Sequence, residues 1–154
     1  MGLTYDEMLA FMLDYFPAYS QYGQDPAVVE RMHDYYTPDF VFTGYVGLSE
    51  PKIYPDRASF LEFDVSHPSS YERLTPVDMT IDERRKTVFA IIKFEFIDTA
   101  TGAVLAEELG ATQYQLVVGE DGAIKVSSFV FFPQRLAPGA LSGVEIFARD
   151  RPAP

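Results

Sequence analysis

The sequence contains no cysteine and no tryptophan, and it has only two histidines. A chain without cysteine forms neither disulfides nor thiolate metal sites. His33 and His67 lie far apart in sequence, which excludes a multi-histidine metal site within one chain. We therefore predict a protein that works without a bound metal or cofactor.

Positive charge is also scarce, because 12 Lys and Arg residues stand against 23 Asp and Glu residues, for a formal net charge of −11. Nucleic-acid and anionic-membrane binding both need basic patches. No apolar run approaches the ~20 residues of a membrane span, and no basic stretch precedes an apolar one near the N-terminus. We expect an acidic cytoplasmic protein that binds neither nucleic acid nor membrane.

Aromatic residues are abundant, with 13 Phe and 10 Tyr in a chain that is 47% hydrophobic. They can line a pocket or simply fill a core. A chain of 154 residues is typical of one domain with one core. The composition shifts to Pro, Gly, Ala and Arg near the end, so we predict one domain over residues 1–136 and a C-terminal extension over residues 137–154.

Long alternating runs dominate the second half of the chain, at residues 87–97, 104–118 and 123–132. Short Gly- and Asp-containing turns separate them, which is typical of consecutive antiparallel hairpins. Two shorter strands are predicted at residues 39–47 and 74–81. Long antiparallel strands coil strongly, so the sheet should have a concave face.

The N-terminal third predicts three helices. Thr4 and Glu7 have capping-box spacing and begin a helix to about Tyr22, with a kink or end at Pro17. A second helix is predicted from Asp25 to about Tyr36, and a third over residues 55–66. The architecture is then α+β: three N-terminal helices packed in the concave face of a strongly curved, mostly antiparallel sheet, with a pocket between them.

This element order resembles the nuclear transport factor 2-like superfamily, which includes SnoaL-like cyclases, ketosteroid isomerases and scytalone dehydratases. The resemblance covers about residues 4–134. Residues 42–51 (FTGYVGLSEP), 93–96 (KFEF) and 126–128 (VSS) are also similar to segments of the isomerases. The resemblance implies a cone-shaped α+β barrel, and short matches of this kind support the fold more than an activity.

The catalytic residues of the isomerases do not carry over. Gly44 stands at the position of their base, Phe16 at that of the oxyanion-hole Tyr of the first helix, and Thr112 at that of the oxyanion-hole Asp. Enolisation needs a base near the abstracted proton and donors at the developing oxyanion. We therefore exclude ketosteroid isomerase activity. The dehydratase pattern of two pocket histidines is also absent, because the corresponding positions in the sheet contain no His.

The resemblance also implies which side chains face the pocket. The convex face should then carry Lys93, Glu95, Gln113, Gln115, Phe129 and Phe131, and its two Phe residues indicate a homodimer interface. The pocket-facing set should be Val88, Ala90, Ile92, Phe94, Phe96, Glu108, Gly110, Thr112, Tyr114, Leu116, Val126, Ser128, Val130 and Phe132.

Asp64 and His67 are the first candidates for catalysis, because they lie three residues apart on one predicted helix. A carboxylate that orients an imidazole is a common general acid–base pair. The alternative is a solvated His at a helix end, bonded to the last carbonyls. Glu108 is the third candidate, since burial would raise its pKa. A bulge at Glu107 and Glu108 would instead turn it to solvent.

Several further side chains are predicted to contact a ligand, although packing with a satisfied hydroxyl is an open alternative for each tyrosine. They are Tyr15, Phe16, Tyr19, Tyr36, Tyr45, Thr112, Tyr114 and Ser128. Two functions remain open. One is a cofactor-independent cyclase, dehydratase or isomerase that acts on a hydrophobic cyclic or polyketide-like molecule. The other is a non-catalytic ligand-binding or dimeric assembly module.

Overall fold

The computed structural model describes residues 2–45 and 50–134. The predicted extension at residues 137–154 and part of the segment 42–51 lie outside these ranges. Helix α1 spans Tyr5–Tyr22 and begins with the predicted capping box: Thr4 Oγ1 accepts from the Glu7 N–H, and Glu7 accepts from the Thr4 N–H at 2.8 Å. The helix does not end at Pro17.

The second predicted helix is a 3₁₀ helix over Val29–Tyr35, and the prediction of an α-helix was wrong. Asp25 accepts from the Ala27 N–H at 2.9 Å and forms a local turn instead of an α-helical cap. The β-branched Val28 and Val29 disfavour an α-helix. Strand β1 begins immediately afterwards, at Tyr36, so the segment is too short for further turns.

Helix α2 spans Arg57–Asp64 and is capped by Asp56, whose carboxylate accepts from the Ser59 N–H at 2.7 Å. It ends two residues before the predicted end at Ser66. Asp64 is therefore the last helical residue, and His67 lies in the loop beyond.

Within residues 2–45 and 50–134, six strands form one sheet in the order β2-β1-β6-β5-β4-β3. Among these strands, β1 and β6 pair in parallel and the other four pairings are antiparallel. Among the described residues the sheet is not closed, because β2 and β3 are its edges. The α+β fold class is confirmed, with helices packed on one face of an open, curved sheet. The strands are β1 Tyr36–Gly44, β2 Lys52–Tyr54, β3 Ser70–Asp82, β4 Thr87–Asp98, β5 Val104–Val118 and β6 Ile124–Pro133.

A β-bulge at Ser127 sets the orientation of β6. Leu116 pairs with Val126, whereas the adjacent Gln115 pairs with Ser128, so Ser127 is the extra residue. One extra residue moves every following side chain to the other face. The predicted inward orientation of Ser128, Val130 and Phe132 was therefore wrong, as was the outward orientation of Phe129 and Phe131. Phe129 is 7% exposed and Phe132 is 47% exposed.

Candidate functional site

A cavity of about 250 Å³ lies between the helices and the concave face of the sheet. Its polar lining includes three carboxyl groups, from Asp64, Glu72 and Glu108, and the ammonium of Lys52. Most of the remaining wall is aromatic, formed by Tyr15, Tyr19, Phe42, Tyr54, Phe60, Phe63, Phe94, Phe96, Tyr114, Phe129 and Phe131.

Gly110 lets two of these rings lie close to β5. A Cβ at this position would be 2.6 Å from a ring carbon of Phe94 and 2.7 Å from one of Phe131. The two rings contact each other with centroids 5.0 Å apart. Any larger residue at position 110 would therefore push both rings away from the strand.

The hydroxyl of Tyr19 bridges two carboxyl groups at one end of the cavity. It lies 3.1 Å from Asp64 Oδ1 and 3.2 Å from Glu72 Oε2. Asp64 is 1% exposed, and its Oδ2 has no hydrogen-bond partner among the residues that the structure describes. The three side chains come from α1, α2 and β3, so the tertiary fold brings this cluster together.

Local contacts between α1 and β3 fix the position of the cluster. Gln24 lies just beyond the end of α1 and accepts from the Glu72 N–H through Oε1 at 2.6 Å. Ser20 Oγ accepts from the Leu74 N–H at 2.9 Å. These bonds hold the last turn of α1, which carries Tyr19, against the start of β3.

Burial dominates the electrostatics of the cluster. It raises the pKa of Asp64 well above the ordinary 3.8, and the nearby Glu72 carboxyl raises it further, while the bond from Tyr19 opposes the shift. Burial also raises the pKa of Glu72, against the lowering effects of Tyr19, His67 and Gln24. Both shifts favour the protonated form, and the shift is larger for Asp64, which suits Asp64 to the role of a general acid.

The predicted Asp64–His67 pair is not formed. Asp64 Oδ1 accepts from Tyr19, and the Nδ1 of His67 lies 3.5 Å from the carbonyl oxygen of Ser70. The imidazole packs edge-on against Phe63, and among the described residues it is not part of the cavity lining. The reason is the early end of α2, because the i, i+3 relation holds only within a helix.

Glu108 lines the cavity, as predicted. Its register with Phe94 is regular, and Glu107 pairs with Glu95, so the alternative bulge at this point is excluded. Thr112 and Tyr114 follow on the same face of β5 and also line the cavity.

The predicted ligand-contact residues divide into three groups. Tyr15 and Tyr19 line the cavity. Phe16 and Tyr36 are buried in the core, where the Tyr36 hydroxyl lies 2.7 Å from that of Tyr15. Tyr45 is 43% exposed, and its ring stacks on Phe132 at 4.7 Å on the convex face. The predictions of Tyr45 and Ser128 as pocket residues were wrong, because both lie on that face.

Glu72 was missed by the sequence reasoning, which began the strand at Leu74, whereas β3 begins at Ser70. Period-2 alternation places Glu72 on the same face as the buried Leu74. A predicted strand that began at Ser70 would therefore have identified Glu72 as a residue facing the cavity. Lys52 was missed because its segment was interpreted as a loop, whereas it pairs with Gly44 in β2.

Two further properties concern the described residues alone. Within 2–45 and 50–134, no group of three or more His, Asp or Glu side chains is placed to hold a metal ion. None of the helices in these ranges has the length and apolarity to cross a membrane.

Comparisons with known proteins identify the fold and leave the function open. No sequence profile of a known family matches the chain, and no curated protein matches it. Solved structures do match. Nuclear transport factor 2 from Cryptosporidium parvum is 10% identical with a TM-score of 0.66, and the match covers 87% of this chain and 98% of that one.

Two further structures carry names that agree with the resemblance. A ketosteroid isomerase-like protein from Erwinia carotovora is 16% identical with a TM-score of 0.56, over 84% of this chain and 95% of the other. A Jannaschia protein named for its likeness to SnoaL polyketide cyclases is 12% identical with a TM-score of 0.58, over 82% and 85%. Identities this low establish the fold alone: this chain has the nuclear transport factor 2-like fold.

Proposed function

We propose that this protein binds a hydrophobic cyclic or polyketide-like molecule in the aromatic cavity and catalyses its cyclisation, dehydration or isomerisation without a cofactor. One observation carries the proposal: Asp64 is buried in the wall of this cavity with Oδ2 unbonded to the described residues. A buried carboxyl without a pairing cation costs stability and is typical of functional sites. The names of the isomerase-like and cyclase-like structures are in keeping with this chemistry. We keep the cytoplasm as the proposed location.

The cluster supplies both halves of an acid–base cycle. Protonated Asp64 donates from Oδ2 to an oxygen of the ligand, and ionised Glu72 removes a proton from a ligand carbon. Tyr19 Oη lies between the two carboxyls at 3.1 and 3.2 Å. It then accepts the proton from Glu72 and passes its own to Oδ1 of Asp64, which restores the protonation of both carboxyls, and rotation of the Asp64 carboxyl group returns the proton to the ligand side.

Hydrogen exchange tests this proposal without knowledge of the natural substrate. Tetralone, a bicyclic aromatic ketone, is incubated with the protein in heavy water, and deuterium incorporation beside its carbonyl is followed by NMR. We expect exchange faster than in buffer, and a loss of about hundredfold in Asp64→Asn and in Glu72→Gln. Glu62→Gln is the matched control, because Glu62 is an exposed carboxylate of α2. Exchange that survives in both cavity variants would refute the assigned roles.

The alternative function is a binding module without turnover. The replacement of the three isomerase positions by Gly44, Phe16 and Thr112 favours it. Calorimetry separates the two functions: tetralone that binds to the protein without any accelerated exchange identifies a binding module.

We also propose a homodimer through the convex face of the sheet. Phe129 and Phe131 were predicted to form its apolar patch. On this face the structure instead exposes apolar side chains that include Tyr45, Phe89, Ile91, Leu109 and Phe132. Pairing along the strands places Ile91, Ala111 and Phe132 in one row. A second copy can cover such a row with the same surface.

Light scattering during gel filtration tests the dimer. We expect a dimeric mass for the native chain and a monomeric mass for Ile91→Lys. Leu13→Lys is the control, because Leu13 is 53% exposed on α1, away from this face. A native chain that elutes as a monomer contradicts the proposal.

A further inference from the structure

Asp64 and Glu72 have no ion-pair partner in the part of the chain that the structure describes. Among the described residues, no basic nitrogen lies within 4.0 Å of a carboxyl oxygen of Asp64 or Glu72. Glu108 faces the same cavity and makes the ionisation of Glu72 harder. Burial favours the protonated form of these carboxyls, whereas a cation beside them favours the ionised form. A positive group bound at this end of the cavity would therefore take the place of the protons.

Asp64 presents a free atom to such a partner. Its Oδ1 accepts from Tyr19, while Oδ2 is buried without a bond to any described residue. Asp64 belongs to the cavity lining, and it is 1% exposed. This oxygen donates when Asp64 is protonated, as in the proposed cycle, and it accepts from an ammonium N–H when a bound cation ionises the carboxyl.

The cavity wall already binds one ammonium group. Lys52 places Nζ 5.4 Å from the ring centroid of Tyr54 and 5.1 Å from that of Phe63. Both rings line the cavity. The faces of aromatic rings attract cations within about 6 Å, so the protein's own side chain demonstrates how this wall accommodates positive charge.

We infer that the ligand of this cavity is a hydrophobic amine, whose cationic nitrogen binds Asp64 and Glu72 and whose rings lie against the aromatic wall. The inference rests on the proposed function, because it names the ligand class of the same cavity. A ligand carboxylate would be disfavoured beside Asp64 and Glu72, and a neutral ligand would give neither carboxyl a charged partner. The amine also brings its N–H and neighbouring C–H groups to the carboxyls that the proposed chemistry uses.

Three probes with the same ring separate these possibilities: naphthylmethylamine, naphthylmethanol and naphthoate. Calorimetry at neutral pH measures the affinity of each for the native chain. We expect the amine to bind at least about tenfold more tightly than the alcohol, since one charge-assisted hydrogen bond supplies that factor. The naphthoate should bind most weakly.

Two variants assign the effect to the cavity. Glu72→Gln should weaken amine binding by about tenfold and leave alcohol binding within about twofold, because it removes charge and keeps the side-chain shape. Glu62→Gln removes the same unit of charge from the exposed side of α2 and should change neither. Circular dichroism verifies that both variants remain folded.

The outcomes distinguish this inference from the proposed function. Equal affinity for amine and alcohol, or tighter binding of naphthoate, overturns the amine and leaves the hydrophobic pocket intact. An equal loss of amine binding in Glu62→Gln and Glu72→Gln overturns the assignment to the cavity. Failure of all three probes to bind overturns both the inference and the proposed ligand-binding function.

Discussion

Carboxyl groups on the two faces of the sheet have pKa shifts of opposite direction. On the convex face, Glu95 accepts from Arg73 at 2.8 and 3.0 Å, and these bonds lower its pKa. On the concave face, burial raises the pKa of Glu72, the residue that precedes Arg73 on the same strand. Adjacent positions of β3 therefore contribute to two different electrostatic environments.

The comparison separates stability from function. A carboxylate paired with arginine at the surface supports the folded state in a modest way. A carboxyl buried without a cation opposes folding, and proteins retain such groups mainly where they bind or react. The buried carboxyl groups of the concave face therefore lower the stability of the folded chain.

The largest expected effect comes from truncating a phenylalanine on the concave face of β6, compared with truncating one on its convex face. Phe129→Ala should destabilise the protein by about 3–5 kcal/mol, because it empties a filled position in the core. Phe132→Ala should cost less than about 1 kcal/mol, because this ring is at the surface. Urea unfolding measures both values. Equal costs for the two variants would contradict the bulge at Ser127.

A smaller loss is expected when the convex ion pair is broken. Arg73→Ala removes both bonds to Glu95, whose side chain is only 10% exposed. We expect a lower urea midpoint than for Arg85→Ala, which breaks an ion pair with side-chain exposures of 80% and 35%. If the two variants have the same midpoint, Arg73 contributes no more than an ordinary surface charge.

The smallest expected effect has the opposite sign. Asp64 binds its proton more tightly in the folded chain, so stability falls as the pH rises above the ordinary pKa of 3.8. Asp64→Asn removes this loss and should raise the melting temperature by a few degrees at neutral pH, with a smaller gain at acidic pH. Glu72 titrates in the same direction and is present in both proteins, so the difference between them reports Asp64 together with its coupling to Glu72.

Asp98→Asn is the control for this pH dependence. The hydroxyl and N–H of Thr101 lower the pKa of Asp98, so its contribution is present at neutral pH and lost in acid. This variant should therefore melt at a lower temperature than the native chain at neutral pH. A stabilising Asp98→Asn, or a destabilising Asp64→Asn, would contradict the opposite pKa shifts of these two carboxyls.

Strand identity could be predicted from the sequence, but the orientation of β6 could not. Alternation and turn composition located β4, β5 and β6 to within a residue or two, because these signals are local. The bulge at Ser127 leaves no such signal, since Ser127 and Ser128 fit either face. The 3₁₀ helix was missed for a related reason. Capping residues indicate where a helix begins, but they do not distinguish an α-helix from a 3₁₀ helix.

The candidate site could be predicted only in part. Asp64, Tyr19 and Glu108 were expected to be in the pocket, because the family resemblance fixed the phase of their elements. The partner of Asp64 could not be read from spacing, since α2 ends at Asp64 and its contacts come from α1 and β3. Long-range contacts of this kind depend on how the helices and strands pack together, and the spacing of residues in the sequence does not predict them.

The shared hydroxyl of Tyr19 has a consequence for the charge of the whole molecule. It has one hydrogen and two carboxyl neighbours, at 3.1 and 3.2 Å. A hydroxyl donates once, so the second contact is a hydrogen bond only if a carboxyl carries a proton and donates it to Oη. A count that treats every Asp and Glu as ionised arrives at −11 and overstates the negative charge of the folded chain. Because the folded chain binds this proton more tightly than the unfolded chain, unfolding above the ordinary carboxyl pKa releases protons, and an unbuffered solution of the protein becomes more acidic as it denatures.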